Sequence, residues 1–300
     1  MSTAEVAPAP GGGALATGGA RRGSVRPWFR LLRSELALVF RRWRNLALLA
    51  VLVAIPVILG IALRLSVPHP SGPPGGPGAA FLAQVAGNGV FLAFLALTIM
   101  LTVALPLVMA VVSGDSLAGE ANTGTLRYLL AVPAGRARLL SVKYAAIVVF
   151  ALVSCVTVAV SALIMGVALF PVGPVTLLSG TTVPLSEGLL RLLFVVLYVA
   201  AAMATLGAIG LTISSFTEHP IGAIAAIMIL AVASEVSDNI PQFAVVQPYL
   251  PTHWWLSFDS LLRAPIDTTT LLHGLLSFGV YVVIFGSIAW ARFTGADITS

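Results

Sequence analysis

AAIVVFALVSCVTVAVSALIMGVALF, residues 145–170, runs for 26 positions without a charge. At 1.5 Å per residue, such a run is long enough to cross a bilayer's hydrocarbon core as a helix. It lacks the two-residue alternation of a barrel strand, and lipid leaves no other way to satisfy the backbone. Five more runs read the same way: Leu46–Leu65, Val90–Val112, Leu189–Ser214, Ile221–Val236 and Leu271–Ala291, with Ile221–Val236 the shortest. The composition agrees, at 58% hydrophobic and 9% charged residues with mean hydropathy +1.02, against about 25% charged in soluble domains. The expected fold class is an all-α integral membrane protein with six transmembrane helices.

The basic residues orient these spans. Thirteen of the sixteen fall on one side if both termini are cytoplasmic, leaving only Arg64, Arg191 and Arg263 opposite, as the positive-inside bias requires. The net charge of +5 follows from that asymmetry and calls for no nucleic-acid partner. The expected localisation is the cytoplasmic membrane.

The expected organisation is a disordered tail over 1–25, an amphipathic helix over 26–44, a six-span domain over 45–293 and a cytoplasmic tail over 294–300. The first tail is Ala-, Gly- and Pro-rich and lacks the pattern of a signal peptide. In the amphipathic segment Phe29, Leu32, Leu36, Val39, Phe40 and Trp43 share an arc of roughly 100°. Arg30, Arg33, Arg41 and Arg44 lie on the flank beside it, and Arg42 belongs to the same helix. A helix lying in the membrane interface follows, its arginines near anionic lipid headgroups, either as a topology anchor or as a contact for a cytoplasmic partner. Residues 66–80 form a Pro/Gly loop. Residues 237–270 are apolar but cut by Pro241, Pro248, Pro251 and Pro265, so short external or re-entrant helices are expected there. Tyr249, Trp254 and Trp255 mark the interface, and the segment reads as an external gate or as a lid.

Enzyme readings find little support. The four histidines show no zinc spacing, Ser154 and Ser161 have no plausible base within their spans, and Cys155 is the sole cysteine. Glu218–His219–Pro220 reads as a helix start, and Glu235 and Asp238 as one face of a hydrated helix end. Gly207 and Gly210 allow close helix approach, with packing inside the chain preferred over a contact between chains. An ion-coupled secondary transporter or channel is the rival to an ATP-driven permease, but the six runs are nearly free of the midplane ionisable groups that coupling ions need.

One polar stretch stands out. After Ser113–Gly114–Asp115, the helix-starting types Asn122, Thr123 and Thr125 precede Leu126, Leu129 and Leu130 at helical spacing. Pro133 stops that short helix, Ala134–Gly135 turns, and Arg136, Arg138 and Lys143 lead into the third span. SGDSLAGEANTGTLRYLLAVPAGRARLLSVKY, residues 113–144, resembles the signature region of type-2 ATP-binding cassette (ABC) transporter permeases. The matching positions are Glu120, Gly124–Thr125–Leu126, Leu129–Leu130, Pro133, Arg136 and Lys143. The resemblance implies that residues 114–143, including Arg127, couple the spans to a separate ABC ATPase subunit. It assigns loop orientation to Glu120, capping of a coupling helix to Thr123 or Thr125, and pairing with acidic groups or lipid phosphates to Arg136 and Lys143. It also implies a second permease chain, identical or paralogous, and export by alternating access. The chain has no G-x-x-x-x-G-K-[ST] phosphate loop, so ATP and Mg are expected in the partner and no cofactor in this chain.

Overall fold

The computed structural model describes residues 25–66, 88–124 and 135–295. The tail over 1–24, residues 67–87 with nearly all of the Pro/Gly loop, residues 125–134 and the last five residues lie outside them. Eight α-helices occupy the described chain: α1 Val25–Arg41, α2 Trp43–Ser66, α3 Phe91–Thr102, α4 Ala104–Asn122, α5 Arg136–Leu169, α6 Leu185–Ser214, α7 Pro220–Asp238 and α8 Thr268–Gly295. Six of them, α2 and α4 to α8, are long and apolar enough to cross a membrane. The chain alternates between two ends of the bundle. The basic end holds α1, the starts of α2, α5 and α7, and the finishes of α4, α6 and α8. The far end carries a two-stranded antiparallel hairpin, β1 Val175–Thr176 with β2 Thr182–Val183, and three 3-10 turns at Pro241–Phe243, Gln247–Tyr249 and Trp255–Leu262.

Helix α6 is the axis. Most of its spanning window is buried, whereas α2, α7 and α8 show most of theirs to the surroundings. Its small residues explain the position. A side chain at Gly207 would collide with Ile147 on α5, and one at Gly210 with Ser113 on α4, so both glycines serve packing inside the chain. At the end of α6 the Ser214 hydroxyl accepts from the amides of Leu117 (3.1 Å) and Ala118 (2.9 Å) and donates to the Gly114 carbonyl (2.8 Å). A side chain from one helix thus enters the hydrogen-bond ladder of another, a recognised way to bend a helix.

Three expectations are corrected. The run Val90–Val112 is not one helix: the backbone leaves helical values at Val103 (φ −137°, ψ −50°) between α3 and α4. Pro106 explains the break, since it has no N–H for the Thr102 carbonyl and its ring crowds that group. Second, α4 does not stop near Asp115 but continues to Asn122, so Asn122 and Thr123 end a helix rather than start one. The Thr123 hydroxyl donates backwards to the carbonyls of Gly119 (3.0 Å) and Glu120 (3.3 Å). Gly124 follows at φ +70°, the left-handed conformation in which glycine commonly terminates helices. Third, the amphipathic segment breaks at Arg42. The Arg42 carbonyl accepts from Asn45 N, and the Asn45 side chain donates to the Val39 carbonyl (2.8 Å), so an elbow joins α1 to α2.

Candidate functional site

Local sequence brings six ionisable groups together at the basic end. In α1 the half-buried positions Trp28, Leu31, Leu32, Glu35, Leu36, Val39 and Phe40 recur at helical spacing, which places Glu35, the one acid of this helix, on its inner face. That face runs along the first turns of α5. The Trp28 indole donates to the Ser141 hydroxyl (3.1 Å), Glu35 meets Lys143, and the Phe40 and Phe150 rings lie 5.3 Å apart. Phe29 and Trp43, expected on the apolar arc, point away and are exposed. At its end α4 presents Asp115 and Glu120 toward the same space.

Two ion-pair clusters result. The Lys143 ammonium donates to Glu35 Oε1 (2.8 Å) and Glu120 Oε1 (2.5 Å), joining α5 to α1 and α4. Lys143 is 1% exposed, with Glu35 at 17% and Glu120 at 13%. A lysine so buried costs several kcal/mol in desolvation unless it is paired, so two carboxylates on two other helices are what allow it there. In the second cluster Asp115 Oδ2 accepts from Arg42 and from Arg44 Nη2 (2.9 Å). These arginines are nearly half exposed, so their attraction is screened and weaker. A cavity of about 30 Å³, lined among others by Glu35, Arg42, Arg44 and Glu120, lies between the clusters. At formal charge Lys143 and its partners carry one excess negative charge, and Asp115 and its arginines one excess positive charge, so the two clusters complement each other.

The sequence-derived candidates divide accordingly. Glu120 and Lys143 are in contact, Thr123 and Gly124 end α4, and Arg136 begins α5. Thr125, Leu126, Arg127 and Pro133 lie outside the described residues. Of the interfacial arginines, Arg42 is taken by Asp115, whereas Arg30, Arg33 and Arg41 are exposed and have no carboxylate partner among the described residues. Glu35 is absent from the sequence-derived candidates, Asp115 stands there only as the end of a span within residues 114–143, and Arg44 only among the interfacial arginines. Glu35 had a signal, a lone acid among α1's arginines, while Asp115 was hidden by the reading that ended its helix too early. Because α4 continues, two carboxylates belong to a spanning helix that the sequence reading had left free of them.

The far end is fastened by different chemistry. Arg191 on α6 is buried, pairs with Glu187 (2.7 Å), and donates to the carbonyls of Leu261 (2.6 Å) and Arg263 (3.0 Å). Leu178 N donates to the Leu262 carbonyl (2.9 Å), tying the hairpin to the same turn. The Tyr198 hydroxyl donates to the Trp254 carbonyl (2.8 Å), and His253 Nδ1 lies 2.5 Å from Asp238 Oδ1. Tyr249, Trp254 and Trp255 do not form one exposed interface: Tyr249 is exposed, Trp254 half-buried and Trp255 buried against the core. The first half of the segment, Pro241–Tyr249, exposes Phe243, Val245 and Tyr249, and the second half is clamped by Arg191.

Among models of protein families, the one described as ABC-2 family transporter protein matches residues 44–278. The match covers α2 to α7, the far-end turns and the start of α8, and begins at Arg44 in the second cluster. Comparison with curated proteins gives no match.

Proposed function

The chain belongs to the ABC-2 transporter family, and from that premise we propose that it is the membrane half of an ATP-driven exporter in the cytoplasmic membrane. It is a multi-pass membrane protein with six apolar helices of spanning length, and membership makes it an ABC permease whose partner is an ABC ATPase subunit. In our reading the basic end and both termini face the cytoplasm, ATP and Mg are bound by that subunit, and two permease chains, identical or paralogous, enclose the pathway. Export is the direction that the family resemblance favours.

The observation that carries this reading is Lys143, held between Glu35 and Glu120. The segment proposed to meet the ATPase, residues 114–143, begins in α4 and ends in α5. A load applied there enters both helices at their basic ends, and Lys143 ties them to α1. Asp115 passes the load through Arg42 and Arg44 to the elbow and α2. Such a joint is a stiff element whose packing can switch between discrete positions. At the far end the exposed half, Pro241–Tyr249, is the part proposed to move, while the half clamped by Arg191 stays with α6.

The test is co-purification of the tagged chain in mild detergent, followed by labelling. The native chain is expected to bring down a subunit with a phosphate loop, and an Arg127→Glu, Arg136→Glu chain to lose it. In a Val245→Cys chain, thiol labelling at this exposed position is expected to change several-fold on adding ATP and Mg. Cys155 is fully buried and stays silent. Adding Lys143→Met, Glu35→Gln and Glu120→Gln should abolish that response while the ATPase still binds. If no ATP-binding subunit accompanies the native chain under several gentle conditions, the proposal is wrong.

A further inference from the structure

Near the basic end α5, α6 and α8 leave between them a cavity of about 210 Å³. Its walls include Ala137, Leu140 and Tyr144 of α5, Ala208 of α6, and Gly286 and Trp290 of α8. Small residues keep it open: a side chain at Gly286 would meet nothing within 4 Å. The space is several times the roughly 30 Å³ share of one water molecule, and its apolar walls offer water few partners. Exposed Ala137 and Trp290 mark its mouth, on the side where α8 is the least buried of the spanning helices. An exposed apolar face on a spanning helix is one that a bilayer would cover.

Charge at the rim says which lipid. Arg138 lies one turn before Ser141, whose hydroxyl donates to the Arg138 carbonyl (2.8 Å). Arg292 lies one turn beyond Ala289, with its guanidinium 5.5 Å from the centre of the Phe216 ring. Among the described residues neither arginine has a carboxylate partner, as is also true of Arg30, Arg33, Arg41 and Arg64, but Arg138 and Arg292 are the two that flank this cavity. We propose that this groove seats one acyl chain of an anionic phospholipid whose phosphate lies between Arg138 and Arg292. The lipid fills an apolar slot that no side chain of the described residues fills, and the two arginines, each one turn from a slot-lining residue, favour an anionic headgroup. It would add a wall-to-wall contact between α5 and α8 to the existing tie of α8 to α6 through the Thr212 hydroxyl and the Phe285 carbonyl (2.8 Å). The inference needs only a bilayer around the helices and stands whether or not ATP drives the protein.

Trp290 reports the occupant. The full chain is placed in phosphatidylcholine nanodiscs, and brominated phosphatidylglycerol or brominated phosphatidylcholine is titrated in while tryptophan fluorescence is followed. With phosphatidylglycerol we expect quenching that saturates at a few mole per cent, at a mole fraction roughly tenfold or more below that needed with phosphatidylcholine. Trp290→Phe should remove the saturating part. An Arg138→Gln, Arg292→Gln chain should make the two lipids equivalent, and Gly286→Leu should fill the slot and abolish saturation. Quenching that rises linearly and alike for both lipids, in native and Gly286→Leu chains, would overturn the proposal. So would loss of saturating quenching when two copies associate, which would give the groove to a second chain.

Discussion

The two ends of the bundle are held together by different kinds of bond. At the basic end the ion pairs join helices far apart in sequence, Glu35, Lys143 and Glu120 in one cluster and Arg42, Arg44 and Asp115 in the other, beside hydroxyl and amide bonds to backbone from Ser214 and Asn45. At the far end a single buried cation, Arg191, reaches backbone carbonyls, and hydroxyls do likewise. Ion pairs can exchange partners when helices shift by a turn, because other side chains of suitable charge lie nearby. A carbonyl clamp fixes one backbone geometry. In the proposed transport cycle the basic end is the part suited to change its contacts, and the far end keeps part of its cap in place while the exposed Pro241–Tyr249 half, held by lighter bonds from Gln247, Trp254 and Tyr281, moves.

Breaking the basic end should have the largest effect. Lys143→Met leaves Glu35 and Glu120 facing each other without a cation, and truncating one member of a buried pair costs about 3–5 kcal/mol. Thermal melting in detergent should show that loss, with hydrogen exchange over 255–264 unchanged. The triple variant with Glu35→Gln and Glu120→Gln should recover most of the stability, since removing the whole cluster removes its desolvation cost as well. A Lys143→Met chain that melts like the native one would mean that the cluster does not join these helices.

Arg191→Met attacks the opposite end and should cost about 2–3 kcal/mol, the scale of charge-assisted hydrogen bonds left without a donor. Its signature is faster proteolysis over 255–264 with the basic end intact. Asp115→Asn should cost about 1 kcal/mol or less, because Arg42 and Arg44 are half in solvent; raising the salt concentration should mask its effect and leave that of Lys143→Met. The smallest effect belongs to Asp267, which starts α8. The Thr270 hydroxyl, then the Thr270 and Thr269 amides, hold its carboxyl below the usual range. A carboxyl lowered by folding stabilises fully above its unfolded value near 3.9 and loses that contribution as pH falls through the folded value. Between pH 5 and 3 the melting temperature of the native chain should therefore fall slightly more than that of Asp267→Asn.

The six spans were legible because uninterrupted apolar length is a local property, readable in runs such as residues 145–170. The helix break was less legible. Pro106 stood in the sequence, but an apolar run hides a proline that lipid-spanning helices often tolerate. Asp115 and Glu120 read as loop residues because their stabilising partners are distant in the chain: Arg42 and Arg44 for one, Glu35 and Lys143 for the other. A carboxylate inside a helix of this kind makes sense only once its cation is known. Trp255 was placed at an interface by residue type, whereas packing put it in the core.

The break at Val103 sets a length. Below it α4 is one rod of 19 residues, about 28 Å at 1.5 Å per residue. If the rod pivots at Val103, a tilt of about 10° sweeps its tip sideways by about 5 Å, close to one helical pitch. Lys143 meets that rod at Glu120, near the tip where the arc is widest, and both arginines meet it at Asp115, about two-thirds of the way along, where the same tilt moves it by about 3 Å. Helix α3, above the pivot, need not move at all.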